Sequence, residues 1–310
     1  MIPTHVREII QNNPIDIQLQ PSSIRVFPDE DYQKEGARIE EDLSPCSIIL
    51  AVKEIPLHFF KKDKVYIFFS HTIKGQSYNM PMLKKMMELE CTLIDYERIV
   101  DDKGQRLLFF GEQAGQAGMI DTLWALGQRL NHEKKENPFS SIKQAFHYES
   151  LVEAKEEIER VGWKIHEKGL NPSLVPLVCG FVGYGHVSLG AQDIFDLLPF
   201  EEIQPGNIAS LFEEKNYVSN KLYKVVFKEE NLVEPIEPNV RFELQDYYDH
   251  PQKYRSVFDS SLPFFAILVN CIFWTPDYPR FVTKESLKQL FLENVRPRLR
   301  VIGDISCDVE

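Results

Sequence analysis

The spacing of apolar residues along the chain predicts alternating helices and strands. Residues 3–12 place Val6, Ile9 and Ile10 on one helical face, and residues 15–19 alternate as a strand does. In the same region we predict further strands at 47–52, 65–69, 92–95 and 107–109, and helices near 31–37 and 78–89. This alternation is typical of a parallel sheet covered by helices.

Two long helical patterns, at 113–130 and 141–168, separate this region from the rest of the chain. After them we predict strands leading into residue 183 and at 202–204, 222–227, 266–273 and 299–305, with a helix near 284–292. The fold class expected is α/β, with two Rossmann-like parallel-sheet domains, a cleft between them and long helices linking them. The expected domains are residues 1–135 and 136–310.

Composition narrows the classes of function. The 310 residues carry a formal charge of −12, which argues against a nucleic-acid-binding surface. The five cysteines include no Cys-x-x-Cys pair, so the sequence indicates neither a disulfide framework nor a metal site, and a reducing compartment is expected. The longest apolar run, 264–274, is too short to span a bilayer, and no targeting pattern opens the chain. We expect an intracellular protein without membrane partners.

The segment 177–191 combines an apolar run with closely spaced glycines and a helix-compatible continuation, which is the pattern of a dinucleotide pyrophosphate loop. Gly183 would form the tight turn, and Gly185 would let the backbone approach the phosphates. Ser188 lies where the dinucleotide-binding motif usually has a third glycine. Gln204 lies at the end of the next predicted strand, where an acidic residue would bind the ribose 2′-hydroxyl and select NAD. Its amide is neutral, so the sequence allows NADP as the cofactor. Glycine clusters also serve as ordinary turns.

Ionisable residues follow several strands of the first region. Lys53 and His71 end neighbouring predicted strands, where the carboxyl ends of a parallel sheet open onto one crevice, so they could transfer protons together. Glu97 could adjust the basicity of either cation, and Arg106 could hold a carboxylate bidentately. The alternative is that Lys53 is a solvated strand end and His71 a satisfied polar group, with no chemical role.

Two further features carry weaker predictions. The small residues between Gly111 and Gly118 favour a tightly packed helix start over a ligand contact. Asp304, at the end of the last predicted strand, could contact substrate or cofactor, or cap a turn.

With these residues in view, the chain closely resembles the lysine–ketoglutarate reductase domain of aminoadipic semialdehyde synthase. The resemblance runs essentially end to end, and alanine dehydrogenase is a more distant relative. The stretches of this chain that carry the resemblance to the reductase domain most specifically are Val52-Lys-Glu, Phe69-Ser-His-Thr-Ile-Lys74, Leu93-Ile-Asp-Tyr-Glu97, Phe110-Gly-x-x-Ala-Gly-x-Ala-Gly-Met-Ile120, Gly183-x-Gly-x-Val-Ser-x-Gly-Ala-Gln192 and Gly303-Asp-Ile-Ser306.

The resemblance implies an NADPH-dependent condensation of L-lysine with 2-oxoglutarate to saccharopine, the first step of lysine degradation. It makes residues 1–135 an alanine dehydrogenase-like substrate and catalytic domain and residues 136–310 an incomplete dinucleotide-binding domain. It further implies catalytic roles and binding roles for these residues: Lys53, His71 and Glu97 in catalysis, Arg106, Lys74 and Asp304 toward substrate, and Gly183, Gly185, Ser188 and Gln204 toward NADP.

Compared with that family, the chain begins just after an arginine-bearing strand and stops before a fused saccharopine dehydrogenase domain, so a fragment truncated at both ends is expected. Two alternatives to the reductase stay open. One is a truncated, non-catalytic binding or regulatory module of the same fold, and the other is an NAD-dependent, lysine-forming saccharopine dehydrogenase. The family suggests a mitochondrial location in animals and a cytosolic one otherwise.

Overall fold

The computed structural model describes residues 1–73, 75, 77–272, 274–293 and 297–305. The chain divides into two compact units, Met1–Phe109 and Phe110–Glu310. The predicted boundary at residue 135 lies inside the second unit, after the helix Gly111–His132, and the division into domains proposed from sequence stays a prediction. None of the described helices is long and apolar enough to cross a membrane.

The first unit contains short helices and parallel strands. Its elements are α1 (Pro3–Asn12), β1 (Gln18–Leu19), α2 (Asp29–Lys34), β2 (Arg38–Ile39), β3 (Ile48–Lys53), β4 (Val65–Phe69), α3 (Met80–Glu88) and β5 (Thr92–Asp95). Strands β3, β4 and β5 form a parallel sheet in that order, and β1 and β2 form a separate parallel pair. The strand predicted at 107–109 does not form, since only an isolated bridge between Val100 and Arg106 occurs there.

The sheet of the first unit has one buried and one open side. Tyr66 and Phe68 of β4 are fully buried against Phe60 and α3, because strand residues alternate between the two faces. Strand β3 lies at the edge of this sheet, and its apolar residues Ile48, Leu50 and Val52 are exposed. The core of this unit is correspondingly small.

The second unit is a five-stranded sheet covered by helices. Its elements are α4 (Gly111–His132), α5 (Leu151–Lys168), β6 (Val178–Val182), α6 (His186–Phe195), β7 (Phe200–Glu202), α7 (Ile208–Glu213), β8 (Leu222–Phe227), α8 (Glu229–Leu232), β9 (Val233–Pro235), α9 (Leu244–Asp249), β10 (Tyr254–Ser256), β11 (Ile267–Asn270), α10 (Lys284–Glu293) and β12 (Val301–Asp304). All five strands of the sheet are parallel, as predicted, and the antiparallel pair β9–β10 was not predicted.

The strand order of this sheet is β12, β11, β6, β8, β7. Strand β6 is central and buried along its whole length, which explains its continuous apolar run. The next strand along the chain, β7, lies at the edge, and β8 is inserted between it and β6. In the usual dinucleotide fold the second strand along the chain lies directly beside the first. In this sheet the third strand, β8, takes that place, and the second strand, β7, lies beyond it.

Small residues bring α4 and α6 into close contact on one face of the sheet. A Cβ at Gly115 would lie 2.0 Å from the carbonyl oxygen of Val187, and a Cβ at Gly190 would lie 2.1 Å from that of Glu112. Only glycine fits at such distances. The prediction that the small residues of Gly111–Gly118 serve tight packing is confirmed for this helix pair.

Candidate functional site

Two polar side-chain pairs lie at the carboxyl ends of the parallel strands in the first unit. His71 Nδ1 is 2.9 Å from Glu54 Oε2, and the two side chains are 28% and 35% exposed. Arg106 Nη2 donates to Glu97 Oε1 at 3.1 Å, with Glu97 only 9% exposed. The carboxyl edge of a parallel sheet is where such folds bind ligands.

The backbone of β3 and β4 positions Lys53, Glu54 and His71. A bulge between Leu50 and Lys53 shifts the register, so that Lys53 pairs with Phe69 on β4. A bulge re-aims the side chains that follow it. His71 has a φ of 50°, an uncommon conformation for a residue other than glycine, and such backbones concentrate at functional sites.

The ring of Phe69 lies between the two side-chain pairs. It stacks on the His71 ring at a centroid distance of 6.5 Å, and the Arg106 guanidinium carbon lies 5.9 Å from its centroid. A cation over an aromatic face is attracted by the ring quadrupole. Phe69 therefore contacts both an imidazole and a guanidinium at this sheet end.

A buried carboxylate fixes the loops that carry these groups. Asp95 Oδ1 accepts from the backbone N–H of Glu97 at 2.9 Å, and Asp95 Oδ2 accepts from the Ser70 hydroxyl. Asn79 donates to the Ser70 carbonyl at 2.9 Å. The residues before His71 and Glu97 are thus tied together in the interior, so the two side chains start from fixed backbone.

Glu97 keeps one acceptor without a partner in the described part of the chain. Its Oε2 is buried and meets no hydrogen-bond donor among the residues that the structure describes. A buried acceptor of this kind is costly unless a donor reaches it. Glu97 Oε2 is therefore an acceptor whose donor the described residues do not supply.

The predicted residues of the first unit are partly brought together. Lys53, His71, Glu97 and Arg106 all lie at the carboxyl end of the β3–β4–β5 sheet or in the segment just after it. Lys74 lies outside the described residues. Glu54, the partner of His71, was not singled out from the sequence, although it directly follows Lys53.

The glycine loop of the second unit has the geometry of a phosphate cradle. Gly183 has a φ of +97°, and a Cβ there would lie 2.5 Å from Ile272 Cγ2, so glycine is required. Gly185 is the N-cap of α6, where a Cβ would meet open space and no side chain caps the helix. The amide groups of the first turn and the helix dipole thus face an open surface that fits a pyrophosphate.

Ser188 and Gln204 lie away from the open side of this loop. The side chain of Ser188 is fully buried and accepts a hydrogen bond from Gln192 Nε2 at 2.9 Å, so it packs the helix against the strand. Gln204 follows β7, which the strand order separates from β6 by β8. The prediction for Gln204 assumed that the second strand neighbours the first, and the sheet does not meet that assumption.

A pocket of about 250 Å³ opens at the carboxyl ends of β6, β11 and β12, where it is lined by Val182, Asn270 and Asp304. From β6 the chain runs toward β7 on one side, and from β11 it runs toward β12 on the other. The connections from these two adjacent strands thus leave in opposite directions. A crevice at the carboxyl ends of two such strands is the usual ligand site of an open α/β sheet. Asp304 accepts from Asn270 Nδ2 at 2.9 Å and lines this pocket, and its role toward substrate or cofactor stays a prediction.

Comparison with known proteins agrees with this architecture. Residues 1–117 match the family described as alanine dehydrogenase/PNT, N-terminal domain. A solved L-alanine dehydrogenase superposes on 93% of this chain and 66% of its own, with a TM-score of 0.53 and 14% sequence identity. This likeness concerns the fold alone.

The curated relatives are longer proteins. Alpha-aminoadipic semialdehyde synthase from Arabidopsis thaliana is 39% identical over 94% of this chain and 28% of its own length. The mitochondrial synthase from Bos taurus is 34% identical over 98% of this chain and 32% of its own. Saccharopine dehydrogenase [NAD(+), L-lysine-forming] from Neurospora crassa is 25% identical over 99% of this chain and 69% of its own. The chain thus spans about a third of the synthases that it matches.

Proposed function

Because this chain is a homologue of one segment of the alpha-aminoadipic semialdehyde synthases, we propose that it catalyses the NADPH-dependent reductive condensation of L-lysine with 2-oxoglutarate to saccharopine. The observation that carries the proposal is the pairing of Glu54 with His71 and of Glu97 with Arg106 at one sheet end. The glycine cradle of the second unit supports the cofactor class.

The proposed reaction needs protons to move at the ε-nitrogen of lysine and at the keto oxygen. The ε-ammonium must lose a proton before nitrogen attacks the keto carbon, and the carbinolamine oxygen must gain one before it leaves as water. We assign the first transfer to His71, which Glu54 orients, and the second to Lys53. Lys53 is the last residue of β3, and His71 follows β4, its parallel neighbour.

Substrate carboxylates need a cation, and substrate N–H groups need an acceptor. Arg106 presents its guanidinium at the site with 44% of its side chain exposed, which suits a carboxylate. The buried Glu97 Oε2 suits a donor on the same substrate. Lys74 is proposed as a further cation for substrates that together bear three carboxylates.

The dinucleotide would be held by the second unit. Gly183 and Gly185 leave room for its pyrophosphate at the amino end of α6, and Asp304 lies in the neighbouring crevice. When bound, NADPH supplies the hydride that reduces the imine. The residues of this chain bind and orient the cofactor and move the protons.

The test is NADPH oxidation, followed by absorbance at about 340 nm, with L-lysine and 2-oxoglutarate added singly and together. We expect oxidation only with both substrates, and about a hundredfold or greater loss in His71→Ala and Lys53→Ala. Circular dichroism of each protein establishes that it is folded. A folded wild-type chain that binds NADPH but never oxidises it would refute the reductase and favour a non-catalytic module.

The second candidate is an NAD-dependent, lysine-forming saccharopine dehydrogenase, favoured by the relatives of that name from fungi. Saccharopine and NAD⁺ are then the substrates to supply, and faster turnover with NAD⁺ than with NADP⁺ would select this candidate. A fused saccharopine dehydrogenase domain, and a mitochondrial location if the source is an animal, are proposed from the synthases alone.

A further inference from the structure

The strand order places β8, and not β7, beside the glycine loop. Val182, the last residue of β6, pairs with Phe227, the last residue of β8, and the Gly183 N–H donates to the Phe227 carbonyl at 3.0 Å. In a dinucleotide fold, the residue that ends the strand next to the first one contacts the adenosine ribose. In this sheet that position falls on the residues directly after Phe227.

The first of those residues is a lysine directed toward the loop. Lys228 is exposed, and its Nζ lies 5.8 Å from the ring centroid of Tyr184, the residue between the two glycines. No carboxylate forms an ion pair with Lys228 in the part of the chain that the structure describes. Its ammonium group is therefore available to an anion bound at the glycine loop.

Two acids follow Lys228 in the chain, of which Glu230 is exposed and Glu229 already has a partner. Glu229 is half-buried and accepts a hydrogen bond from the Tyr248 hydroxyl at 2.7 Å. Its negative charge also raises the pKa of the neighbouring Tyr184 hydroxyl. An acid that selects NAD must offer its carboxylate to the ribose 2′-hydroxyl, and here that carboxylate already has a protein donor.

We propose that Lys228 recognises the 2′-phosphate of the dinucleotide and makes this chain selective for NADP(H) over NAD(H). An ammonium at the ribose end of the loop forms a charge-assisted hydrogen bond to a phosphate and gains nothing from a hydroxyl. The inference rests on the dinucleotide part of the proposed function and needs no catalysis. It replaces Gln204 with Lys228 as the specificity residue.

The test measures binding with the full chain. NADPH and NADH are titrated by their fluorescence, and adenosine 2′,5′-bisphosphate and 5′-AMP by calorimetry, into the wild type, Lys228→Ala, Lys228→Arg and Lys221→Ala. Lys221 is the matched control, because it flanks the other end of β8 and pairs with Glu201 at 3.1 Å. In Lys228→Ala we expect affinity for NADPH and the bisphosphate to fall by about 10- to 100-fold, with NADH and AMP unchanged. Lys228→Arg should retain most of the preference.

Each other outcome overturns the inference in a recognisable way. An unchanged ratio of NADPH to NADH affinity in Lys228→Ala refutes the role of Lys228 and leaves the reductase proposal intact. An equal loss for both dinucleotides indicates a general phosphate contact and no selectivity. If the folded wild type binds neither dinucleotide, both this inference and the proposed function fail.

Discussion

At the scale of single residues, the contact of His71 Nδ1 with Glu54 leaves Nε2 for the proposed proton transfer. Glu54→Gln replaces a carboxylate acceptor by an amide, so the imidazole loses its charged partner. We expect kcat for NADPH oxidation to fall about tenfold or more, and its pH profile to change, while the KM values change little. The measurement is the pH dependence of steady-state rates.

The control for this variant is Glu90→Gln. Glu90 forms an ion pair of the same length, 2.9 Å, with Lys62 in the same unit, away from the sheet end. A comparable loss of kcat in both variants would mean that general charge effects, and not His71, are responsible.

Position along a strand was enough to predict from sequence where Lys53 and His71 lie in the fold. Lys53 and His71 both follow apolar runs, and parallel strands bring such ends together. The partner of His71 could not be predicted, because it depends on the bulge before Lys53, which the pattern of residues does not encode. The roles of all these residues stay predictions until variants are assayed.

At the scale of elements, the contact between α4 and α6 has no room for one additional carbon. Gly190→Ala would place a Cβ 2.1 Å from the Glu112 carbonyl oxygen, so the helices must separate. We expect a loss of about 1 to 3 kcal/mol in the free energy of unfolding, measured by urea denaturation. Gly185→Ala, whose Cβ meets open space, should unfold like the wild type and bind NADPH more weakly. Equal stability of Gly190→Ala and the wild type would contradict this packing.

The end of α4 carries a pH-dependent contact. Burial alone would raise the pKa of Glu133, but hydrogen bonds from Arg129 and Lys135 and the charge of Arg300 hold it below its ordinary value. A carboxyl group with a lowered folded-state pKa stabilises the fold above its unfolded pKa and loses this effect as pH falls through the lowered one.

Glu133→Gln should therefore cost about 1 to 3 kcal/mol at pH 7, and the difference from the wild type should shrink in acid. Urea denaturation at several pH values, followed by tryptophan fluorescence, measures it. Glu159→Gln, on the exposed side of α5, serves as the control. A difference that persists unchanged in acid would mean that the contact does not depend on the carboxylate charge.

The spacing of apolar residues was enough to predict most helices and strands, but it could not predict which strands lie side by side in a sheet. The helix at 3–12 and the strands at 65–69, 92–95 and 222–227 form where apolar spacing predicted them. The order of the second sheet depends on which strands pair across long stretches of chain, and hydrophobic periodicity carries no information about that. The assignment of Gln204 assumed that β7 lies beside β6, and this sheet places β8 there instead.

At the scale of the whole molecule, the two units differ in how much core they bury. The first contains two small clusters around Phe68 and Tyr32, whereas the second contains two large ones that surround its central sheet. Since stability follows buried apolar area, we expect the first unit to unfold at lower urea concentrations.

The tryptophans allow this prediction to be measured in the intact chain. All three lie in the second unit, at Trp124, Trp163 and Trp274. Circular dichroism at far-ultraviolet wavelengths reports helices of both units, so its transition should begin before that of tryptophan fluorescence. Coincident transitions would show that the chain unfolds as one cooperative body.

The central position of β6 has a consequence for how the chain is synthesised. Its five buried residues, Val178–Val182, pair only with β8 and β11, and both of these neighbours are translated after β7. An apolar strand therefore leaves the ribosome well before either partner exists, and unpaired strands of this kind aggregate. A chain released between β7 and β8 would leave its central strand without either neighbour, so this interval exposes the nascent chain to aggregation.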